Sequence, residues 1–191
     1  MALSALNQRR WRNFRANRRA YLSLIVFSVL FGLSLLAEFI ANDKPLLIRH
    51  AGQFYAPILR FYPETAFGGD FQTEAIYRDP GVQCLIIAAG DPTCWDDPVG
   101  VIADAQDGQI AGTPIEKGWI IWPLVPYSFN TINDIDGAAP SAPDSKHWLG
   151  TDDTARDVLA RVIYGFRLSV AFALLTTFFT SIIGITAGAV Q

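Results

Sequence analysis

Residues 20–37, AYLSLIVFSVLFGLSLLA, and residues 168–190, LSVAFALLTTFFTSIIGITAGAV, carry no charged side chain. A helix rises about 1.5 Å per residue and a bilayer's hydrocarbon core is about 30 Å thick, so each run is long enough, or nearly so, to cross it. The stretch between them is of another kind. From Asp43 to Asp153, sixteen acids stand against Lys44, Arg49, Arg60, Arg78, Lys117 and Lys146, a net of −10 that the overall −3 of the 191-residue chain conceals.

Charge also predicts sidedness. Arg9, Arg10, Arg12, Arg15, Arg18 and Arg19 precede the first run, and no acid appears before Glu38. Cationic flanks stay in the cytoplasm, which puts residues 1–19 inside and residues 41–167 in the periplasm. The fold expected is an α-helical integral membrane protein with two transmembrane helices, 20–40 and 168–190. They bracket a mixed, partly β periplasmic loop domain over 41–146, and a turn with an amphipathic helix over 147–167 leads into the second span. A cleaved signal peptide is the competing reading of the N-terminus. The apolar run exceeds the usual length of roughly 7–15 residues, and bulky Phe39 and Ile40 stand where small residues are wanted. The segment RRWRNFRANRR (9–19) interleaves Trp11 and Phe14 with arginine, as an interfacial helix on anionic lipid does. Its place beside a span favours lipid over nucleic acid.

Within the loop, Cys84 and Cys94 flank the turn signal Gly90-Asp91-Pro92, and in an oxidising periplasm they are expected to form a disulfide. Two thiols with His50 and His147 as the only histidines make no convincing four-ligand metal set. The segments 71–77 (FQTEAIY), 83–89 (QCLIIAA) and 99–105 (VGVIADA) read as short strands between Asp, Gly and Pro punctuation. GWIIWPLVPY (118–127) cannot be a regular helix. It either anchors at the membrane surface or packs over the loop domain. Residues 136–144, DGAAPSAPD, read as a connector to the second span.

The segment from His147 is the most specific. Residues 150–153, GTDD, form a turn, and Thr154 and Asp157 are spaced as in a capping box. A helix repeating Val158, Leu159, Val162, Ile163 and Phe166 follows, kept partly polar by Arg156, Arg161 and Arg167. Asp152, Asp153 and His147 have the chemistry of ligand, acid and base, but capping and ion pairing explain them more simply, and no nucleophile–base pair points to a secreted enzyme. Farther on, Ala173, Thr177, Ser181, Gly184 and Gly188 form a small-residue stripe whose Gly184–Gly188 pair admits a second helix backbone.

Gly150, Thr151, Asp152, Arg156, Asp157, Gly165, Arg167 and Ser169 spell GTD-x-x-x-RD-V-L-A-R-x-x-Y-G-x-R-x-S. This closely resembles the segment entering the core transmembrane domain of peptide-importing ABC permeases, the inner-membrane subunits of dipeptide and oligopeptide importers. The basic N-terminus and single leading span resemble the C-type subunit. The acidic loop, with WPLVPYSFNTIN (122–133) and APSAPDSKHWLGTDD (139–153), is most similar to the oligopeptide and microcin C permease subset. The resemblance covers most of the chain. Ala155 departs from it, standing where the family usually has glycine, in a position that reads as helical.

The resemblance implies a bacterial inner-membrane subunit that works with a second permease subunit, cytoplasmic ATPase subunits and a periplasmic substrate-binding protein. Any ATP would sit on the partners, and this chain would hold no cofactor of its own and do no covalent chemistry. The family also needs further spans and an ATPase-docking loop, so the expectation is the N-terminal part of such a subunit. The alternative is a two-span sensor whose exported loop binds a ligand. A sensor has no need of the GTD-to-RxS segment.

Overall fold

The computed structural model describes residues 4–110, 112–135 and 137–190. Contacts divide the chain into one unit of residues 1–37 and 163–191 and another of residues 38–162.

In the first unit, α1 (Ala5–Ala16) and α2 (Arg18–Leu35) are separated only by Asn17. Asn17 ends one helix and starts the next: its side-chain oxygen accepts from the Ala20 N–H at 3.3 Å. This is the N-cap chemistry that asparagine favours. Trp11 and Phe14 stack on α1 with ring centroids 5.7 Å apart, beside arginines and without an acid. The helix expected over 20–40 is thus Arg18–Leu35, interrupted at Leu36 before the single turn α3 (Ala37–Ile40). Farther along the chain, α6 (Val158–Val190) runs for 33 residues without a break. The amphipathic helix runs into the second span as expected, and the two are one element, because neither Gly165 nor any proline interrupts the ladder. Both α2 and α6 are long and apolar enough to span a membrane and are almost wholly unburied by protein. They are therefore not the core helices of a soluble fold.

The second unit is built on a three-stranded antiparallel sheet ordered β2–β1–β5, from β1 (Leu47–His50), β2 (Gln53–Tyr55) and β5 (Trp119–Ile121). β1 and β2 are joined by Ala51-Gly52, both at positive φ, as a two-residue hairpin requires. In β1, Ile48 and His50 alternate inward, and Ile48 is fully buried against Phe67, Tyr77, Val82 and Ile86. The stretch 118–127 packs over this domain: β5 pairs Trp119 with Arg49, and Trp122 lies on the core cluster.

Two expected strands are helices. Residues 83–89 fall largely in α4 (Pro80–Ile87), and 99–105 in α5 (Pro98–Ala105). Both begin at Asp-Pro: Asp79 accepts from the N–H groups of Gly81 and Val82, and Asp97 from that of Gly100. An aspartate N-cap with proline at the first helical position outweighs the β-branched composition. The apolar run misled because α4 is buried on opposite sides, with Ile86 in the sheet cluster and Cys84 and Leu85 in a second cluster with Ala88, Cys94 and Ala105. Segment 71–77 holds no strand, only a bridge from Glu74 to Pro63. Strands β3 (Gln109–Ile110) and β4 (Thr113–Pro114) form a small separate ladder. Cys84 and Cys94, both fully buried, are joined in a disulfide with Cα atoms 5.5 Å apart. Gly118 has no alternative residue, since a Cβ there would overlap the carbonyls of Ile86 and Arg49.

Candidate functional site

The GTD segment is a tight hairpin rather than the start of a helix. Thr151 and Asp157 face each other across it, the Asp152 N–H donates to the Arg156 carbonyl at 2.9 Å, and the Ala155 N–H returns to the Asp152 carbonyl at 3.0 Å. The turn closes only because Ala155 adopts φ +58°. That is the left-handed bulge position where glycine is usual, so the expectation of a helical Ala155 is overturned. Gly150, at φ +74°, lies where a Cβ would collide with the Ser141 carbonyl.

Asp152 is the hub of the turn. One of its oxygens accepts from the Thr154 N–H (2.9 Å), the Thr154 hydroxyl (2.8 Å) and the Arg156 N–H (2.9 Å), while Arg161 pairs with the other. Burial pushes its carboxyl pKa up, but the Arg156 N–H, both Thr154 donors and the Arg161 charge outweigh burial and hold it at about 2. Asp157, not Thr154, caps α6: its carboxylate accepts from the Ala160 N–H at 2.8 Å. This corrects the expected capping box, in which Thr154 held the N-cap. The other Asp157 oxygen meets His147 Nδ1 at 2.9 Å, and both side chains are buried.

Above that pair the side chains form a column. Tyr127 stacks on His147 with centroids 4.5 Å apart, and the Arg78 guanidinium lies 4.5 Å from the centroid of the same Tyr127 ring. Asn133 ties the column to the hairpin, accepting from Arg78 at 2.6 Å and donating to the Ala155 carbonyl at 3.0 Å. The 136–144 stretch is not a free connector. Beyond Asp136, which lies outside the described residues, Ser141 receives and returns hydrogen bonds with Thr151. Asp144 accepts from the His147 N–H (2.5 Å) and Lys146 N–H (2.8 Å), and these hold its carboxyl below the usual range.

Five of the eight motif residues therefore meet in one hairpin, Gly150, Thr151, Asp152, Arg156 and Asp157, and Arg161 joins them from α6. Gly165, Arg167 and Ser169 lie farther along α6. A Cβ at Gly165 would meet nothing within 4 Å, Arg167 covers the Tyr164 ring at 5.0 Å, and Ser169 is exposed. Gly184 and Gly188 have equally open surroundings. Along that stripe the hydroxyls of Thr177 and Ser181 donate to carbonyls one turn back, at 2.8 and 2.7 Å, which leaves no bare donor facing an apolar medium. Tyr127, Asn133 and Ser141 were not singled out from sequence, although they lie in the two quoted segments 122–133 and 139–153. Their partners are distant in the chain, so spacing could not reveal them. The His147–Asp157 pair is sealed beneath Tyr127 and both carboxylate oxygens are engaged, so it fixes the entry of α6. Among the described residues no group of three or more His, Cys, Asp or Glu side chains is placed to hold a metal.

Residues 6–57 match the family model described as the N-terminal TM domain of oligopeptide transport permease C. The chain is 40% identical over 190 residues to the inner membrane ABC transporter permease protein YejE of Escherichia coli (strain K12), covering 99% of this chain and 48% of that protein. It is 39% identical over 213 residues to the peptidoglycan transport system permease protein YejE of Agrobacterium fabrum, covering 98% and 48%. A putative peptide permease protein of Brucella abortus is 38% identical over 85 residues, covering 44% and 28%. The chain thus spans about half the length of the curated relatives it matches along its whole course. No solved structure matches. With two unburied apolar helices in the structure and this identity along nearly all of its length, the chain is similar to integral inner-membrane ABC transporter permease proteins over about half of their length.

Proposed function

We propose that the chain forms part of the translocation pathway of an ABC importer for peptides or peptide-like compounds. A second permease subunit lines the other side, cytoplasmic ATPase subunits drive alternating access, and a periplasmic binding protein delivers the substrate. ATP acts on the partners; this chain positions helices and performs no covalent step. The N-terminus lies in the cytoplasm with α1 along anionic lipid, and residues 41–167 face the periplasm. Identity to permeases along 99% of the chain carries this reading over a two-span sensor.

A strain deleted for the gene encoding this chain is expected to lose most of its uptake of radiolabelled trialanine and to regain it when the gene is supplied in trans. Unchanged uptake of trialanine and of longer peptides would remove the proposal. A ligand-dependent transcriptional response lost in the same strain would return the sensor.

A further inference from the structure

In the second unit a cleft of about 460 Å³ opens between three chain segments, around residues 43–44, 74–78 and 131–134. Its walls are fixed to one another by polar contacts between distant residues. Lys44 Nζ meets Glu74 Oε1 at 2.5 Å, and the Thr131 hydroxyl donates to Asp43 at 3.0 Å. Among the described residues those contacts leave three charges without an opposite partner: Asp43, which accepts only from the neutral Thr131 hydroxyl, Arg78 and Asp134. Arg78 is held by neutral groups only, the Asn133 amide oxygen and the Tyr127 ring, and among the described residues no carboxylate lies within ion-pair distance of it. A guanidinium has five donors in a rigid fork, and Asn133 occupies one of them. Asp134 is exposed and makes no hydrogen bond or ion pair with any described residue. Ile76 and Ile132, 68% and 73% exposed, add apolar surface to the same cleft.

A preoriented cation with spare donors, an unsatisfied anion and exposed aliphatic side chains together match a short chain that is charged oppositely at its two ends. The volume suits a small ligand, since such sites run from about 300 to 1,000 Å³. We propose that this cleft binds a short zwitterionic oligopeptide, with Arg78 taking its C-terminal carboxylate and Asp134 its N-terminal ammonium. The biological setting rests on the peptide-import reading, whereas the recognition chemistry stands on the cleft alone. Planar guanidinium–carboxylate pairing supplies direction, and the aliphatic side chains tolerate varied peptide side chains.

The test is saturation-transfer NMR on the full chain in lipid nanodiscs, with trialanine, N-acetyl-trialanine and trialanine amide as probes. Free trialanine should receive saturation, and blocking either end should weaken its binding about tenfold, as expected for losing one charge-assisted contact. Arg78→Gln should weaken free trialanine by a similar factor. Because that substitution also touches Asn133 and Tyr127, Asp134→Asn supplies an independent check at an exposed side chain. It should abolish the preference for free over acetylated peptide and leave the penalty for the amide. Equal signals from the three peptides, no transfer to trialanine, or an unchanged preference in Asp134→Asn would each overturn the proposal. Gene-dependent uptake without binding at the cleft would discard the cleft and keep the importer; binding without uptake would do the reverse.

Discussion

Ala155 holds a left-handed backbone in a hairpin that needs one, and its Cβ makes that conformation costly. The cost is about 1–2 kcal/mol for an L-residue, partly offset by about 0.4–1 kcal/mol of extra unfolded-state entropy on changing to glycine. Ala155→Gly should therefore raise stability by about 0.5–1 kcal/mol, and Ala155→Val should lower it, as read from denaturant midpoints of the purified protein. Equal midpoints for the three proteins would mean that this hairpin opens before the cooperative transition. Asp152 makes a pH prediction of definite sign. Its carboxyl is depressed from the ordinary 3.8 to about 2, so the folded state binds its proton more weakly than the unfolded chain. The stability this contributes is fully present above 3.8 and is lost as pH falls through about 2. Asp152→Asn should flatten the decline of the unfolding midpoint across that window, and a slope equal to that of the unsubstituted protein would contradict the hydrogen-bond geometry.

Among the elements, α4 shows how local chemistry and burial act together. Its aspartate cap and proline start the helix, and the disulfide from Cys84 to Cys94 ties it to the following turn. Replacing both cysteines by alanine should cost about 2–3 kcal/mol, chiefly by freeing the unfolded chain, and thermal unfolding with and without the pair measures it. Two alkylatable thiols in the unreduced native protein would refute the disulfide. Along the α6 stripe, Gly184 and Gly188 have open surroundings among the described residues. If the stripe receives another helix backbone, Gly188→Leu should reduce recovery of the partner permease in a pull-down more than Leu174→Ala does. Equal losses would assign Gly184 and Gly188 to ordinary lipid-facing composition.

For the whole molecule the first question is sidedness. Val99, 76% exposed in the second unit, offers a cysteine site that a membrane-impermeant maleimide should label in intact spheroplasts. A cysteine at Ser4 should react only after permeabilisation. The opposite pattern would reverse the proposed orientation. Much of this architecture was legible in the chain alone. The apolar runs, the arginine cluster before the first, the acidity between them and the GTD-to-RxS spelling are one-dimensional properties, and each reports local composition or spacing directly. The Asp-Pro starts of α4 and α5 were also local, yet were outweighed by apolar runs whose periodicity cannot separate a doubly buried helix from a strand. What only the tertiary structure decided was which residues meet: β1 between β2 and β5, Asn133 on Ala155, His147 on Asp157, and Arg78 over Tyr127 with no ion pair among the described residues. Apart from the local β1–β2 hairpin, these contacts join residues from 10 to more than 70 positions apart in the chain. They are chosen by the packing of the assembled core, which no window of sequence contains.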